Sequence, residues 1–200
     1  MCEKSRYFSW NGMGQICLGE MNYEIGKYEQ SSMNFNRVMV LLEKGELGLS
    51  WRSIGKIGFL RAEVAGGYHR IDPELLTRHV SEVKIACFEG VKCRFLSEIF
   101  FNMVSKYENR VEQLIQTAIQ ADKTNCMDFN LGKDYQTYAR QLDRKGNFIQ
   151  AKKYYEKSID VFKKCMADGW IETSTEELEK METSGNGRKM FTVTGTASDT

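Results

Sequence analysis

The residues of this chain that could carry chemistry are two histidines, six cysteines and a few glycine-rich stretches. A phosphate-binding loop needs backbone donors around the phosphate, a lysine, and a hydroxyl after it. Ser50 to Ile57 (SWRSIGKI) comes nearest, but it lacks the leading glycine and ends in isoleucine. The GMG at Gly12 to Gly14 follows no strand pattern, so it does not read as a dinucleotide fingerprint. His69 has Asp72 and Glu74 nearby in sequence, while His79 lies in a polar helical stretch. A metal centre needs at least three converging ligands, and no spacing here supplies them. Both histidines are expected at the surface. Cys2, Cys17, Cys87, Cys93, Cys126 and Cys165 show no CxxC spacing, and no histidine is spaced to activate one of them or a serine. The expectation is a chain with no catalytic centre, no metal and no cofactor. A small enzyme with a histidine or cysteine centre stands as the alternative from another class.

Bulk properties narrow the field further. The formal net charge of +1 gives no basic footprint for nucleic acid. No apolar run approaches the ~18 residues that span a bilayer, so no membrane partner is expected. The N-terminus, MCEKSRYFSW, is charged and unlike a secretory signal. Reduced, packed cysteines in a cytoplasmic setting follow from that. Charge is unevenly placed, however. Lys133 to Cys165 holds nine Lys and Arg against four Asp and Glu, whereas Asp168 to Glu182 holds six acids against one lysine. This pattern fits a basic groove for an acidic ligand, gated by an acidic tail helix. The favoured reading is two solvated faces that partly neutralise each other, since exposed pairs contribute little each.

The elements that would position these groups are helices. One proline in 200 residues leaves the chain free of the strongest helix breaker. Tyr135, Tyr138, Ala139 and Leu142 follow at helical steps; after Gly146-Asn147, so do Phe148, Ala151, Tyr155, Ser158, Ile159 and Phe162. Small residues (Ala139, Ala151, Ser158) stand where two helices must approach, with aromatics one turn away. Arg110 to Lys123 aligns with the second of these helices, with about Cys93 to Lys106 as its partner. Gly14 to Gly45 repeats the motif, with Gly19 at the small position, Gly26 as a left-handed cap, and Asn22 as a polar departure. A further pair is expected over about Ser50 to Ala65 and Pro73 to Phe88, Asp72 capping the latter. Thr173 or Ser174 is expected to cap a last short helix through Glu182. The fold class expected is all-α: a right-handed α-solenoid of about four antiparallel helix pairs plus a C-terminal capping helix. Residues 1–11 read as an extension, 12–183 as the repeat domain and 184–200 as a disordered tail.

The small-and-aromatic pattern resembles the tetratricopeptide repeat, a helix-turn-helix unit of ~34 residues that buries its apolar face only by stacking. The ending, Cys165, Ala167, Asp168, Gly169 and Trp170 followed by an acidic helix, resembles the close of the superhelix at the C-termini of bacterial signalling ATPases and nucleotide cyclases. The resemblance implies a module that binds a protein or peptide on a concave face lined by the first helix of each pair. Its role would lie in signal transduction, either detached or as the regulatory part of such a cyclase or ATPase. On that face the last repeat offers Lys133, Gln136, Arg140 and Arg144, the N-terminal one Ile16, Glu20 and Tyr23, and the third Cys93, Leu96, Phe100 and Met103. The ligand so implied has hydrophobic anchors and an acidic terminus. Equally, the apolar members would pack between neighbouring pairs.

Overall fold

The structure, a computed structural model, describes residues 2–41, 49–68, 76, 85–103 and 107–193, with side chains over 10–41, 50–68, 76, 85–103 and 107–184. The expected helix over Pro73 to Phe88 and its cap Asp72 lie outside the described residues, except for Leu76 and a 3-10 turn at Ala86–Phe88. His69 and His79 lie outside them too. All regular structure among the described residues is helical. The chain divides into two compact units, Met1–Asn125 and Cys126–Thr200.

The first unit contains α1 (Cys2–Glu24), α2 (Tyr28–Leu41), α3 (Leu49–Ala65), α4 (Glu89–Met103) and α5 (Glu108–Thr124). Among the described helices, α1 packs on α2, α2 on α3, α3 on α4 and α4 on α5. Phe35, Ile54, Ile57, Val64, Leu76, Phe95, Leu96, Ile99, Phe100 and Val111 form one buried cluster. The second unit contains α6 (Asp128–Arg144), α7 (Phe148–Lys164) and α8 (Asp168–Val193). Here α6 packs on α7 and α7 on α8. This is an all-α helical-repeat architecture built from adjacent helix pairs.

What makes it a repeat is a shared contact. Ser31 Oγ donates to the Gly19 carbonyl at 2.8 Å, joining α2 to α1. Ser158 Oγ donates to the Gly132 carbonyl at 2.9 Å, joining α7 to α6. The α4–α5 pair uses a serine in the opposite sense: Ser97 Oγ of the first helix donates to the Val111 carbonyl of the second at 3.3 Å. In each case a small side chain lets two backbones close, and its hydroxyl ties one helix to the other. The same economy of space leaves no room for a Cβ on the glycine. A methyl group on Gly19 would meet the Phe35 ring at 2.8 Å, and one on Gly132 would meet the Phe162 ring at 2.6 Å. Gly132 was not among the small positions the periodicity suggests; it lies two turns before Ala139.

The helix ends repeat as well. Gly26 turns into the left-handed region at φ +74°, as expected, and Gly146 does so at +78°. At Gly146 the amide donates to Asp143 O at 2.8 Å and the next amide to Leu142 O at 2.9 Å, the paired bonds of a Schellman end. Met166 makes the same bonds, to Lys163 O at 3.1 Å and from Ala167 N to Phe162 O at 3.0 Å. It does so at φ +53°, and Cys126 holds +54° at the equivalent α5–α6 junction, 166 − 126 = 40 residues earlier.

Three expectations differ from the structure. The last helix spans Asp168–Val193: it starts before Thr173 and Ser174, and it runs past Glu182 into the stretch read as a disordered tail. Thr173 Oγ1 bonds back to the Gly169 carbonyl at 2.8 Å, and Ser174 is buried beside Ser158 Oγ at 3.4 Å, so neither hydroxyl is at a helix end. The first helix already begins at Cys2, within the stretch read as an extension. Asn22, the polar departure, donates to Asn34 Oδ1 at 3.2 Å, and Asn34 donates in turn to Gln15 Oε1 at 2.9 Å. An amide ladder thus replaces an apolar contact between α1 and α2. On the forty-residue offset, the exposed Glu172 and Glu179 of α8 fall where α6 has Gly132 and Ala139. A further helix therefore could not close on α8 as α7 closes on α6, which suits a capping helix.

Candidate protein-interaction faces

In the first unit the expected face residues Glu20 and Tyr23 converge on a side chain that the sequence reading did not single out, Arg61. Its side chain is 1% exposed. The guanidinium lies over the Tyr23 ring at 3.4 Å and over the Phe95 ring at 4.4 Å. Its edges meet carboxylates from two other helices. It bonds Glu20 of α1, donates to Glu98 Oε1 of α4 at 2.9 Å with Nε 2.6 Å from Oε2, and stands 3.7 Å from Glu24. Arg94, also buried, reaches Glu20 Oε2 at 3.4 Å. Burial opposes the charge on Arg61, but Glu98 and Glu20 more than offset that and hold its pKa above the ordinary value. Burial pushes the Glu98 carboxyl up, against the pull of Arg61. Burial, with Glu98 beside it, likewise raises the Tyr23 phenol. The cluster is a lock between α1, α3 and α4, its charges paired with one another. Isolated buried charges are costly, so the network specifies how these helices meet more than it stabilises them.

The apolar members of the expected face take the other role weighed for them. Cys93, Leu96 and Phe100 are buried, the latter two within the core cluster, and Met103 and Ile16 pack against it. Leu96 and Phe100 therefore do not line an open groove.

In the second unit, the basic stripe is met by the acidic helix. Arg140 donates to both oxygens of Glu177, from Nε at 2.9 Å and from a terminal nitrogen at 2.7 Å. Gln136 Nε2 adds a longer contact to Glu177 at 3.4 Å, and Lys152 pairs with Glu182 at 2.6 Å. Lys133 is buried with its ammonium 4.8 Å from the Trp170 ring centre. Trp170 in turn packs on Phe129 and Phe162, at 5.8 and 5.6 Å between ring centres. Burial pushes the Tyr155 phenol up, with the Glu177 charge adding to it. Arg144 is exposed at the end of α6. So α6 brings Lys133, Gln136 and Arg140 together, and α8 covers them. The fork on Arg140 is the geometry by which a guanidinium recognises a carboxylate.

Arg61, Arg94 and Glu98 carried one signal in the sequence: each is a charge set among large apolar residues, in GFLRAEV or KCRFLSEIFF. In the sequence Trp170 belongs to the ending and Glu177 to an acidic stretch, and neither position by itself signals the contact it makes. Among the described residues no three His, Cys, Asp or Glu side chains gather as a metal site, and no helix is long and apolar enough to cross a membrane. No family model, curated protein or solved structure matches this chain.

Proposed function

We propose that this chain is a protein-interaction module of tetratricopeptide-like helix pairs, and that its second unit recognises acidic helical segments through the basic stripe of α6. One observation carries the reading: an acidic helix, α8, already sits on that stripe, held by the fork between Arg140 and Glu177. The stripe thus has the shape and charge to take a carboxylate-bearing helix, and α8 is the occupant in cis. Paired helices that bury their apolar faces against one another leave such faces for recognition. A place in signal transduction rests on the likeness of the Cys165–Trp170 ending alone.

The test uses a labelled synthetic peptide with the sequence of residues 168–182. It is titrated into the full chain carrying Glu177→Ala and Glu182→Ala, so that the stripe is less firmly held in cis. Fluorescence anisotropy should show saturable binding. Affinity should fall at least about ten-fold, some 1.4 kcal/mol, when Arg140→Glu and Arg144→Glu are added. It should also weaken as salt rises from about 0.05 to 0.5 M. No saturable binding, or binding indifferent to those two arginines, would defeat the proposal.

A further inference from the structure

α8 turns one face to α6 and α7. Trp170, Ser174, Glu177 and Met181 stand four, three and four residues apart, the steps that keep side chains in one row. Ser174 and Met181 are buried, while Glu172, Thr173, Glu176, Glu179 and Lys180 are exposed. α7 matches the row step for step while running the other way. Trp170 packs on Phe162 at 5.6 Å, Ser174 Oγ lies 3.4 Å from Ser158 Oγ, and Glu177 lies beside the Tyr155 hydroxyl. α6 matches it in the same direction. Lys133 and Arg140 are two turns apart and meet Trp170 and Glu177, also two turns apart, ~10.5 Å along either helix.

Each position suits one kind of side chain. Trp170 fits between the rings of Phe129 and Phe162, with the Lys133 ammonium over it. Ser158 gives its proton to the Gly132 carbonyl, so Ser174 donates to Ser158, and a longer side chain at 174 would part α8 from α7. Glu177 answers the Arg140 fork, which needs a planar carboxylate at that point of the helix. We infer that the partner class is narrower than acidic helices. The α6–α7 face reads an aromatic residue, a small residue, a glutamate and an apolar residue at positions i, i+4, i+7 and i+11 of a helix lying parallel to α6, and leaves the outward residues unread. This rests on the reading above, that the face takes a helix in trans. An acidic helix with its carboxylates elsewhere leaves the fork unmet, and unmet polar groups are what reject a wrong ligand.

The labelled peptide of residues 168–182 is titrated into the full chain carrying Glu177→Ala and Glu182→Ala. Peptide variants are compared as neighbouring pairs that change composition alike. Glu177→Gln and Glu176→Gln each remove one charge and keep the shape. The first should weaken binding at least about ten-fold and the second less than about two-fold. Ser174→Leu and Thr173→Leu each add an apolar side chain, and the same contrast is expected. Trp170→Ala should weaken binding at least about ten-fold, as loss of a packed aromatic anchor does. Equal losses within either pair, or indifference to Trp170→Ala, would overturn the four-position rule and leave the recognition of acidic helices standing. A parent peptide that does not bind would overturn both.

Discussion

Replacing Arg61 by methionine removes a cation that Glu20, Glu24 and Glu98 share, though Arg94 stays beside Glu20, while keeping much of the volume and the apolar contact with Tyr23 and Phe95. The structure sets the size of the effect. The Glu20, Glu24 and Glu98 side chains are 15%, 13% and 9% exposed, so the carboxylates left behind are poorly hydrated and face one another. Breaking a buried ion pair from one side costs about 3–5 kcal/mol, and loss of the cation over the two rings adds about 1 kcal/mol. Against a typical total of roughly 5–15 kcal/mol, the first unit becomes marginal near neutral pH. The pH dependence gives the sharper test. Burial already raises Glu98, and without Arg61 it rises further. A carboxyl whose folded pKa exceeds its unfolded value of ~4.3 binds more protons when native, so its contribution is present at low pH and lost as pH rises through the folded value. The variant should therefore recover much of its loss between about pH 7 and pH 5, whereas the parent should change much less. Urea unfolding followed by circular dichroism at both pH values measures it. A loss below about 1 kcal/mol, or one equal at the two pH values, would refute the argument that the three carboxylates depend on Arg61.

Other outcomes follow from the packing. Gly132→Ala should lower stability by about 1–2 kcal/mol in urea unfolding, because the buried Phe162 ring, held by Phe129 and Trp170, has nowhere to go and overpacking outweighs the gain in helix propensity. Met166→Gly should raise the melting temperature, adding about 0.5–1 kcal/mol, since this side chain is 85% exposed and sits at φ +53°. Ser158→Ala should cost about 1 kcal/mol in the same assay, through loss of the buried bond to the Gly132 carbonyl.

The parts of the fold that sequence made legible are those where local patterning and tertiary packing agree. Ala151, Tyr155, Ser158 and Phe162 give α7 its buried face, and Gly146 gives its turn, because each residue type suits both its helix and its neighbour. The α4–α5 pair was legible for the same reason. The start of α8 was misread because threonine and serine serve two purposes. A hydroxyl can cap a helix or bond back along it, and only the tertiary context at Thr173 and Ser174 decides. The Arg61 cluster was out of reach because its members are 37 and 41 residues apart in the chain and nothing local links them. The basic and acidic stretches near the C-terminus were visible as composition. Their meeting at Arg140 and Glu177 required the fold.

The central claim is that the α6 stripe recognises carboxylates rather than merely lying near them. A double-mutant cycle on Arg140→Ala and Glu177→Ala, read as unfolding free energy of the full chain, isolates that interaction. A two-bond fork between groups about a quarter exposed should couple by about 1 kcal/mol or more, above the ~0.2–1 kcal/mol of an exposed pair. Two single changes that add with no coupling beyond about 0.3 kcal/mol would contradict the account.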